Sequence, residues 1–162
     1  MRSKTMPHGC LTVSMRIRLE DAASSPESVV LEDADHYQMK LSGAFHLSVE
    51  GDGRVTLWRP ISGNDARITS TVPLKKGWNH IAAVYDLDSL KLYLNGVPAG
   101  EKKNLKPAYA RTHSTPVVGS SRIRKGSSGP LSFRGEIDQL EIIGSALNDS
   151  DIRDLYRNGV WK

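Results

Sequence analysis

Residues 77–96, GWNHIAAVYDLDSLKLYLNG, carry the clearest structural pattern in the chain. Two segments rich in apolar residues, 77–86 and 90–94, are joined by Asp86-Leu87-Asp88-Ser89, whose aspartates and serine favour a turn. Asn95-Gly96 follows, and this dipeptide suits a type I′ turn because both residues tolerate positive φ. The pattern therefore predicts three consecutive antiparallel strands joined by short turns, the third over 97–101.

Apolar residues recur with a period of two through most of the chain, as is typical of β-strands. Apolar and polar residues alternate along 11–19, which predicts a strand with one face in a core and the other in solvent. Further strands are predicted by apolar segments bounded by turn residues at 29–31, 37–41, 45–49, 55–59, 67–72, 116–121 and 131–143.

One helix is predicted near the end of the chain. Asn148 can cap its start, Ile152, Leu155 and Tyr156 form one apolar face, and Gly159 can end it. Short strands at hairpin spacing, without an internal repeat, predict an all-β fold. We expect an antiparallel two-sheet sandwich or jelly roll with one short C-terminal helix.

Composition excludes several classes of protein. The chain has 162 residues, of which 38% are hydrophobic and 25% charged, which suits one packed domain. No apolar segment is long enough to span a bilayer, and the single cysteine, Cys10, excludes an intrachain disulfide framework. The net charge of +4 comes from basic residues scattered among separate turns, so we expect no nucleic-acid partner and no membrane insertion.

Three sequence blocks together indicate a particular fold family more specifically than the strand pattern does. They are 77–96, then Val118-Gly119-Ser120, and finally the segment 133–142 followed by the helix. Over residues 11 to 159 the chain resembles the laminin-G-like, concanavalin A-like lectin and glucanase jelly-roll family. The resemblance implies a concanavalin A-like sandwich and a non-catalytic binding or adhesion module that recognises carbohydrate or a protein partner.

The same resemblance implies a particular domain organisation. Members of the family usually have one or more strands before the segment that matches 11–19, whereas only 1–10 precedes it here. We therefore expect an irregular tail over 1–10 and a domain over 11–162 that lacks the family's first strand or strands. An unpaired sheet edge would then favour a homodimer. Family members are typically extracellular, but the N-terminus shows no signal peptide, so we expect a missing upstream segment.

Four residues are candidates for contact with a sugar. His36 and Tyr37 together with Trp58 and Arg59 could form a stacking surface, because aromatic rings suit the apolar faces of a pyranose. Core packing of Trp58 is the alternative interpretation. Trp78 and Trp161 are predicted to lie in the core or at the ends of the sandwich.

A second functional interpretation comes from the last predicted strand, 131–143. Glu136-Ile137-Asp138-Gln139-Leu140-Glu141 resembles the catalytic strand of laminarinase- and lichenase-type glycoside hydrolases, which implies Glu136 and Glu141 as the catalytic pair. On a regular strand, however, Glu141 points away from Glu136 unless a bulge intervenes. The third interpretation is a structural accessory domain of a larger secreted protein.

Asp138 is the candidate ligand of a structural calcium ion. The family resemblance implies this role, because related domains often use an aspartate on the closing strand together with backbone carbonyls. An aspartate hydrogen-bonded to backbone is the alternative. The five histidines, at positions 8, 36, 46, 80 and 113, show no spacing typical of a metal site.

Overall fold

The computed structural model describes residues 9–19, 27–33, 45–59, 66–105, 116–120 and 132–159. These segments form ten strands and one helix. In chain order they are β1 (Leu11–Leu19), β2 (Glu27–Asp33), β3 (Phe45–Glu50), β4 (Val55–Arg59), β5 (Ala66–Thr69), β6 (Trp78–Tyr85), β7 (Leu90–Leu94), β8 (Val97–Lys102), β9 (Val117–Val118), β10 (Gly135–Ile143) and α1 (Asp149–Asn158).

The strands form two antiparallel sheets of five strands each. Sheet A has the order β10-β1-β6-β7-β8, and sheet B has the order β5-β4-β3-β2-β9. The predicted two-sheet sandwich with one C-terminal helix is therefore confirmed. The strand predicted at 37–41 lies outside the described residues.

The main core lies between the inner faces of the two sheets. In β1 the alternating side chains of Leu11, Val13, Met15 and Ile17 are at most 1% exposed, as the period of two predicts. Inner-face residues of sheet B, such as Leu47 and Leu57, belong to the same cluster.

A second apolar cluster lies on the outer face of sheet A, where α1 covers the sheet. Its members are Ala82, Val84 and Tyr93 from the sheet and Leu147, Ile152 and Leu155 from the helix region. The buried hydroxyl of Thr12 donates to the Ser145 carbonyl at 2.8 Å and accepts the Leu147 N–H at 3.0 Å. Packing and hydrogen bonding together therefore hold the helix to β1.

The local sequence explains how α1 begins and ends. Asn148 accepts the backbone N–H groups of Ser150 and Asp151, and the Asp151 carboxylate accepts the Asn148 N–H in return. Gly159 ends the helix with φ of 80°. The predicted cap and stop are confirmed. Within the described part of the chain, no helix is long and apolar enough to cross a membrane.

One tight turn and one close backbone contact involve the strands that carry the surface residues discussed below. Asn95 and Gly96 have φ of 52° and 76°, as the predicted type I′ turn requires. The carbonyl of Arg18 approaches Gly135 so closely that a Cβ on Gly135 would lie 2.1 Å from it. β10 begins at Gly135, four residues later than predicted, opposite Leu19, the last residue of β1.

An irregularity in β10 changes the direction of its side chains. Arg16 pairs with Asp138 and Ser14 pairs with Glu141, so one residue of β1 lies opposite two residues of β10. Gln139 has φ of 52° at this point. This arrangement is a β-bulge, which shifts the in–out alternation by one residue.

Candidate functional site

A row of polar and aromatic side chains crosses the outer face of sheet B. Glu32 pairs with His46, His46 with Trp58, and Trp58 with Arg67, on four adjacent strands. Residues directly opposite each other on antiparallel strands share a face, so all four side chains lie on one side of the sheet. We call these four residues the Trp58 row.

Exposure increases along the Trp58 row. The Glu32 side chain is 2% exposed, and its Oε2 lies 3.6 Å from Nδ1 of His46, which is 12% exposed. Trp58 is half-buried, with its ring 6.0 Å from the His46 ring in an edge-on arrangement. Arg67 is 60% exposed and lies 3.4 Å from Oε1 of Glu50. One end of the row is therefore built into the protein, while the other faces solvent.

The structure separates Trp58 from Arg59, which the sequence analysis had grouped on one stacking surface. Arg59 is 2% exposed, and its guanidinium lies over the ring of Tyr85 at 3.9 Å from the centroid. Consecutive residues of a strand point to opposite faces, so Arg59 enters the sandwich while Trp58 lies on its outside. His36 and Tyr37, the other two predicted sugar contacts, lie outside the described residues.

Trp78 is the first residue of β6 and lies on the surface, so a position in the core, one of the two predicted for it, is wrong. Its side chain is 46% exposed. Along β6, Ile81, Ala83 and Tyr85 face the core, so Trp78 has the parity of the opposite face. Because side chains alternate along a strand, an inward-facing Tyr85 implies an outward-facing Trp78, and this could have been inferred from the sequence.

Trp78 belongs to a second row, on the outer face of sheet A. Arg18 pairs with Glu136 on one side and with Trp78 on the other. The Arg18 guanidinium forms an ion pair with the Glu136 carboxylate and lies 5.7 Å from the centroid of the Trp78 ring. The side chains of Arg18 and Glu136 are 49% and 48% exposed. We call these three residues the Trp78 row.

A more buried row lies next to it on the same face. Arg16 pairs with Asp138 and with His80, and its Nη2 donates to the Tyr156 carbonyl of α1 at 3.0 Å. His80 is 3% exposed, and its Nε2 lies 2.9 Å from Oγ of Ser14. Burial, assisted by the charge of Arg16, lowers the pKa of His80 to about 4. His80 is therefore neutral near pH 7.

The bulge at Gln139 bears on the glycoside hydrolase interpretation. Glu136, Asp138 and Glu141 pair with Arg18, Arg16 and Ser14, which all lie on the outer face of sheet A. The bulge therefore brings the three carboxylates to one face, which a regular strand could not do. The Glu136 carboxylate, however, is engaged by Arg18.

The predicted calcium ligand Asp138 lies on β10, next to the bulge at Gln139. Asp138 is exposed, and its Oδ1 accepts the Gln139 N–H at 2.8 Å. Calcium takes six to eight oxygen ligands, and within the described segments no three acidic, histidine or cysteine side chains are placed to hold a metal ion together. A calcium ion bound through Asp138 stays a prediction.

A groove of about 400 Å³ lies at the β7–β8 edge of sheet A, next to the start of α1. Its polar lining includes Lys91, Tyr93, Glu101 and Asp149. The Tyr93 hydroxyl donates to Oδ1 of Asp149 at 2.7 Å, and burial together with this bond raises the pKa of Tyr93. These groups already bind one another, which indicates that the contact holds the helix to the sheet.

Comparison with known families agrees with this architecture. A laminin G family model, described as the concanavalin A-like lectin/glucanases superfamily, matches residues 1–153. The chain belongs to this superfamily, as its sequence blocks predicted. A comparison with curated protein sequences finds no match.

Several solved structures share the fold. A native heptameric SAP-like pentraxin from Limulus polyphemus is 21% identical, with a TM-score of 0.66, and the match covers 94% of this chain and 73% of that one. Domain 4 of AbnA, a GH43 extracellular arabinanase from Geobacillus stearothermophilus, solved in complex with arabinotriose, is 20% identical, with a TM-score of 0.69 and coverage of 94% and 69%.

A third similar structure is the CBM40 of the Ruminococcus gnavus IT-sialidase bound to α2,3-sialyllactose. It is 15% identical, with a TM-score of 0.74, and the match covers 93% of this chain and 84% of that one. All three similarities concern the fold, a concanavalin A-like sandwich, which the family match also gives.

Proposed function

We propose that this protein is a non-catalytic carbohydrate-binding module whose ligand contacts the Trp58 row. The observation that carries the proposal is the position of Trp58, half-buried on the outer face of sheet B between His46 and the exposed Arg67. An aromatic ring offers an apolar surface to a sugar ring, and flanking polar groups fix its orientation through hydroxyl hydrogen bonds.

Two properties of the row favour binding with little rearrangement. His46 packs edge-on against Trp58, so the indole is held before any ligand arrives. Arg67 offers donors at the exposed end of the row, where a ligand would meet solvent. Because the groups are already positioned by strand pairing, little side-chain entropy is lost on binding.

A glycan array in calcium-containing buffer tests the class of ligand. It should include arabinotriose and α2,3-sialyllactose, the ligands present in two of the similar structures. Reproducible binding to one sugar class is expected. A blank array with a correctly folded protein would refute carbohydrate binding and would favour the alternative, a protein ligand.

Calorimetry on the best array ligand tests the site. Replacing Trp58 with Ala should weaken binding at least tenfold, because the stacking surface is lost. Val97→Ala is the matched control, since Val97 is an apolar side chain 62% exposed on β8, away from the row. Unchanged affinity in Trp58→Ala would place the ligand elsewhere.

A glycoside hydrolase is the second candidate, and the bulge at Gln139 is the observation that favours it. With Glu136 and Glu141 on one face, the geometric objection from the sequence no longer holds. A reducing-sugar assay on β-glucans separates the two candidates. Activity lost in both Glu136→Gln and Glu141→Gln would favour hydrolysis, whereas no activity in the unchanged protein would refute it.

Calcium assistance through Asp138 is a separate proposal. Because the described segments hold no three acidic, histidine or cysteine side chains placed to bind a metal ion, most of the other ligands would be backbone carbonyls, water or residues outside these segments. If calcium binds there, a chelator should lower the melting temperature of the unchanged protein and leave Asp138→Asn unaffected. An equal response in both proteins would exclude Asp138 as a ligand.

A homodimer through an open sheet edge also stays a prediction. Within the described segments β10 is an edge strand of sheet A, and its bulge interrupts the regular row of backbone groups that edge pairing needs. Light scattering at high protein concentration tests the proposal, and a clean monomer would refute it.

An accessory role within a larger secreted protein is compatible with sugar binding. It is favoured by the similarity to domain 4 of an extracellular arabinanase. The reading frame upstream of Met1 tests this proposal. An in-frame stop directly before Met1, without an earlier start, would refute a missing upstream segment.

A further inference from the structure

We propose that the Trp78 row is a second carbohydrate-binding surface, specific for uncharged oligosaccharides, on the face of the sandwich opposite the Trp58 row. The proposal takes its class of ligand from the function proposed above, but it rests on different residues. Its central observation is that Glu136, Arg18 and Trp78 lie side by side on three adjacent strands, each about half exposed.

The three side chains supply the contacts that a neutral sugar needs. The Glu136 carboxylate accepts hydrogen bonds, the Arg18 guanidinium donates them, and the Trp78 ring offers an apolar surface. Adjacent strands lie about 4.8 Å apart, so the row spans roughly 10 Å from Glu136 to Trp78. This span allows one ligand to contact all three groups.

The charges on this face favour an uncharged ligand. Arg18 is balanced by Glu136, and in the neighbouring row Arg16 faces Asp138. His80 beside them is neutral near pH 7, because burial and the charge of Arg16 lower its pKa to about 4. The formal charges of these two arginines and two carboxylates cancel, and Glu141 adds a negative charge on the same face, so the surface has no electrostatic preference for an acidic sugar.

The surface is held in place by contacts beneath and beside it. Arg18 is oriented by Glu136 and by the Trp78 ring at 5.7 Å. Glu136 and Trp78 are the direct cross-strand partners of Arg18 in sheet A. On the other side, Arg16 is bonded to the Tyr156 carbonyl of α1. A ligand would therefore meet groups that are already ordered.

Two binding surfaces on opposite faces would make the module bivalent. The outer faces of sheets A and B point away from each other, so one ligand cannot contact both rows. The module could then join two glycan chains, or gain avidity on a surface that presents many copies.

The three tryptophans of the chain make the test direct. A protein labelled with ¹⁵N has three indole N–H resonances, which Trp58→Phe and Trp78→Phe assign by the loss of one resonance each. The probes are arabinotriose, cellotriose, mannotriose and laminaritriose as uncharged ligands, with α2,3-sialyllactose as the acidic one. Each is added up to about 10 mM, which detects dissociation constants of millimolar order.

The expected result is a shift of the Trp78 resonance with at least one uncharged probe and none with α2,3-sialyllactose. Arg18→Gln and Glu136→Gln should each weaken this response about tenfold. Both variants should leave the Trp58 resonance unaffected. Lys103→Ala is the matched control, because this side chain is 65% exposed and lies outside both rows.

The outcomes separate this proposal from the function proposed above. A response of Trp58 alone overturns the second surface and leaves the proposed function intact. A response of Trp78 alone supports the second surface and overturns the assignment to the Trp58 row. No response of either resonance to any probe overturns both. If the Trp78 resonance responds equally in the unchanged protein, Arg18→Gln and Glu136→Gln, then Arg18 and Glu136 do not contribute to binding and the proposed surface is wrong.

Discussion

Acidification should destabilise the protein through His80, a buried neutral imidazole. Its side chain is 3% exposed, lies 2.9 Å from Oγ of Ser14 and faces the cationic Arg16. Burial, and then the charge of Arg16, lowers the pKa of His80 from 6.5 to about 4. The unfolded chain therefore takes up this proton at a higher pH than the folded protein, so stability falls as the pH falls.

The size of the effect follows from the difference in pKa. About 2.5 pKa units at about 1.4 kcal/mol each correspond to about 3 kcal/mol of unfolding free energy. The loss begins as the pH drops below 6.5, reaches about 2 kcal/mol near pH 5, and is complete below pH 4. Above pH 7 His80 contributes no pH dependence, because it is neutral in both states.

Urea unfolding at several pH values between 7 and 4 measures this loss. Other groups also titrate in this range. The informative quantity is therefore how much more steeply the free energy of unfolding falls with decreasing pH in the unchanged protein than in His80→Gln. We expect the unchanged protein to lose about 3 kcal/mol more than the variant between pH 7 and pH 4. Arg16→Gln should show a smaller loss than the unchanged protein, because one cause of the pKa shift is removed.

Parallel pH profiles for the unchanged protein and His80→Gln would refute this reasoning. Such a result would mean that the folded protein accommodates the charged imidazole. Titration of the His80 ring by NMR checks the same point independently, because a midpoint near 6.5 in the folded protein contradicts the assigned pKa.

Three stability predictions follow from single contacts, each measured by urea unfolding at pH 7. Thr12→Val should cost about 1–3 kcal/mol, because the Ser145 carbonyl and the buried Leu147 amide lose their shared hydroxyl partner, whereas Thr12→Ser keeps it. Equal stability of the two variants would contradict this. Gly135→Ala should cost about 1–3 kcal/mol, because its Cβ would lie 2.1 Å from the Arg18 carbonyl, while Gly100→Ala meets only ordinary contacts at 3.4 Å. Asn148→Ala should cost about 1 kcal/mol through loss of the helix cap, and Asn148→Asp should retain most of it.

Much of the fold could be predicted because its determinants are local. Alternation along 11–19 gives the inward face of β1, and the Asn95-Gly96 pair gives a tight turn, both within a few residues. Asn148 caps α1 through backbone groups two and three residues away. Such patterns are readable in one sequence, because they depend on backbone geometry rather than on distant contacts.

The candidate site was harder to predict, because side-chain neighbours on a sheet come from distant parts of the chain. Period two alone puts Arg59 on the face opposite Trp58, yet only the sandwich shows Tyr85 beneath its guanidinium. Trp78 was misassigned because a large apolar residue favours the core, although its parity within β6 indicates the surface.

By itself the sequence determined the strand pattern, the turns, the helix cap and the membership of a jelly-roll family. Only the tertiary structure decided which side chains share a face. Arg18 and Glu136 are 118 positions apart, and their pairing depends on the register of β1 against β10. The bulge at Gln139 then returns Glu141 to the face of Glu136. The alternation within one strand determines which of its residues face the core, but the residue opposite on a distant strand also depends on how the two segments pack.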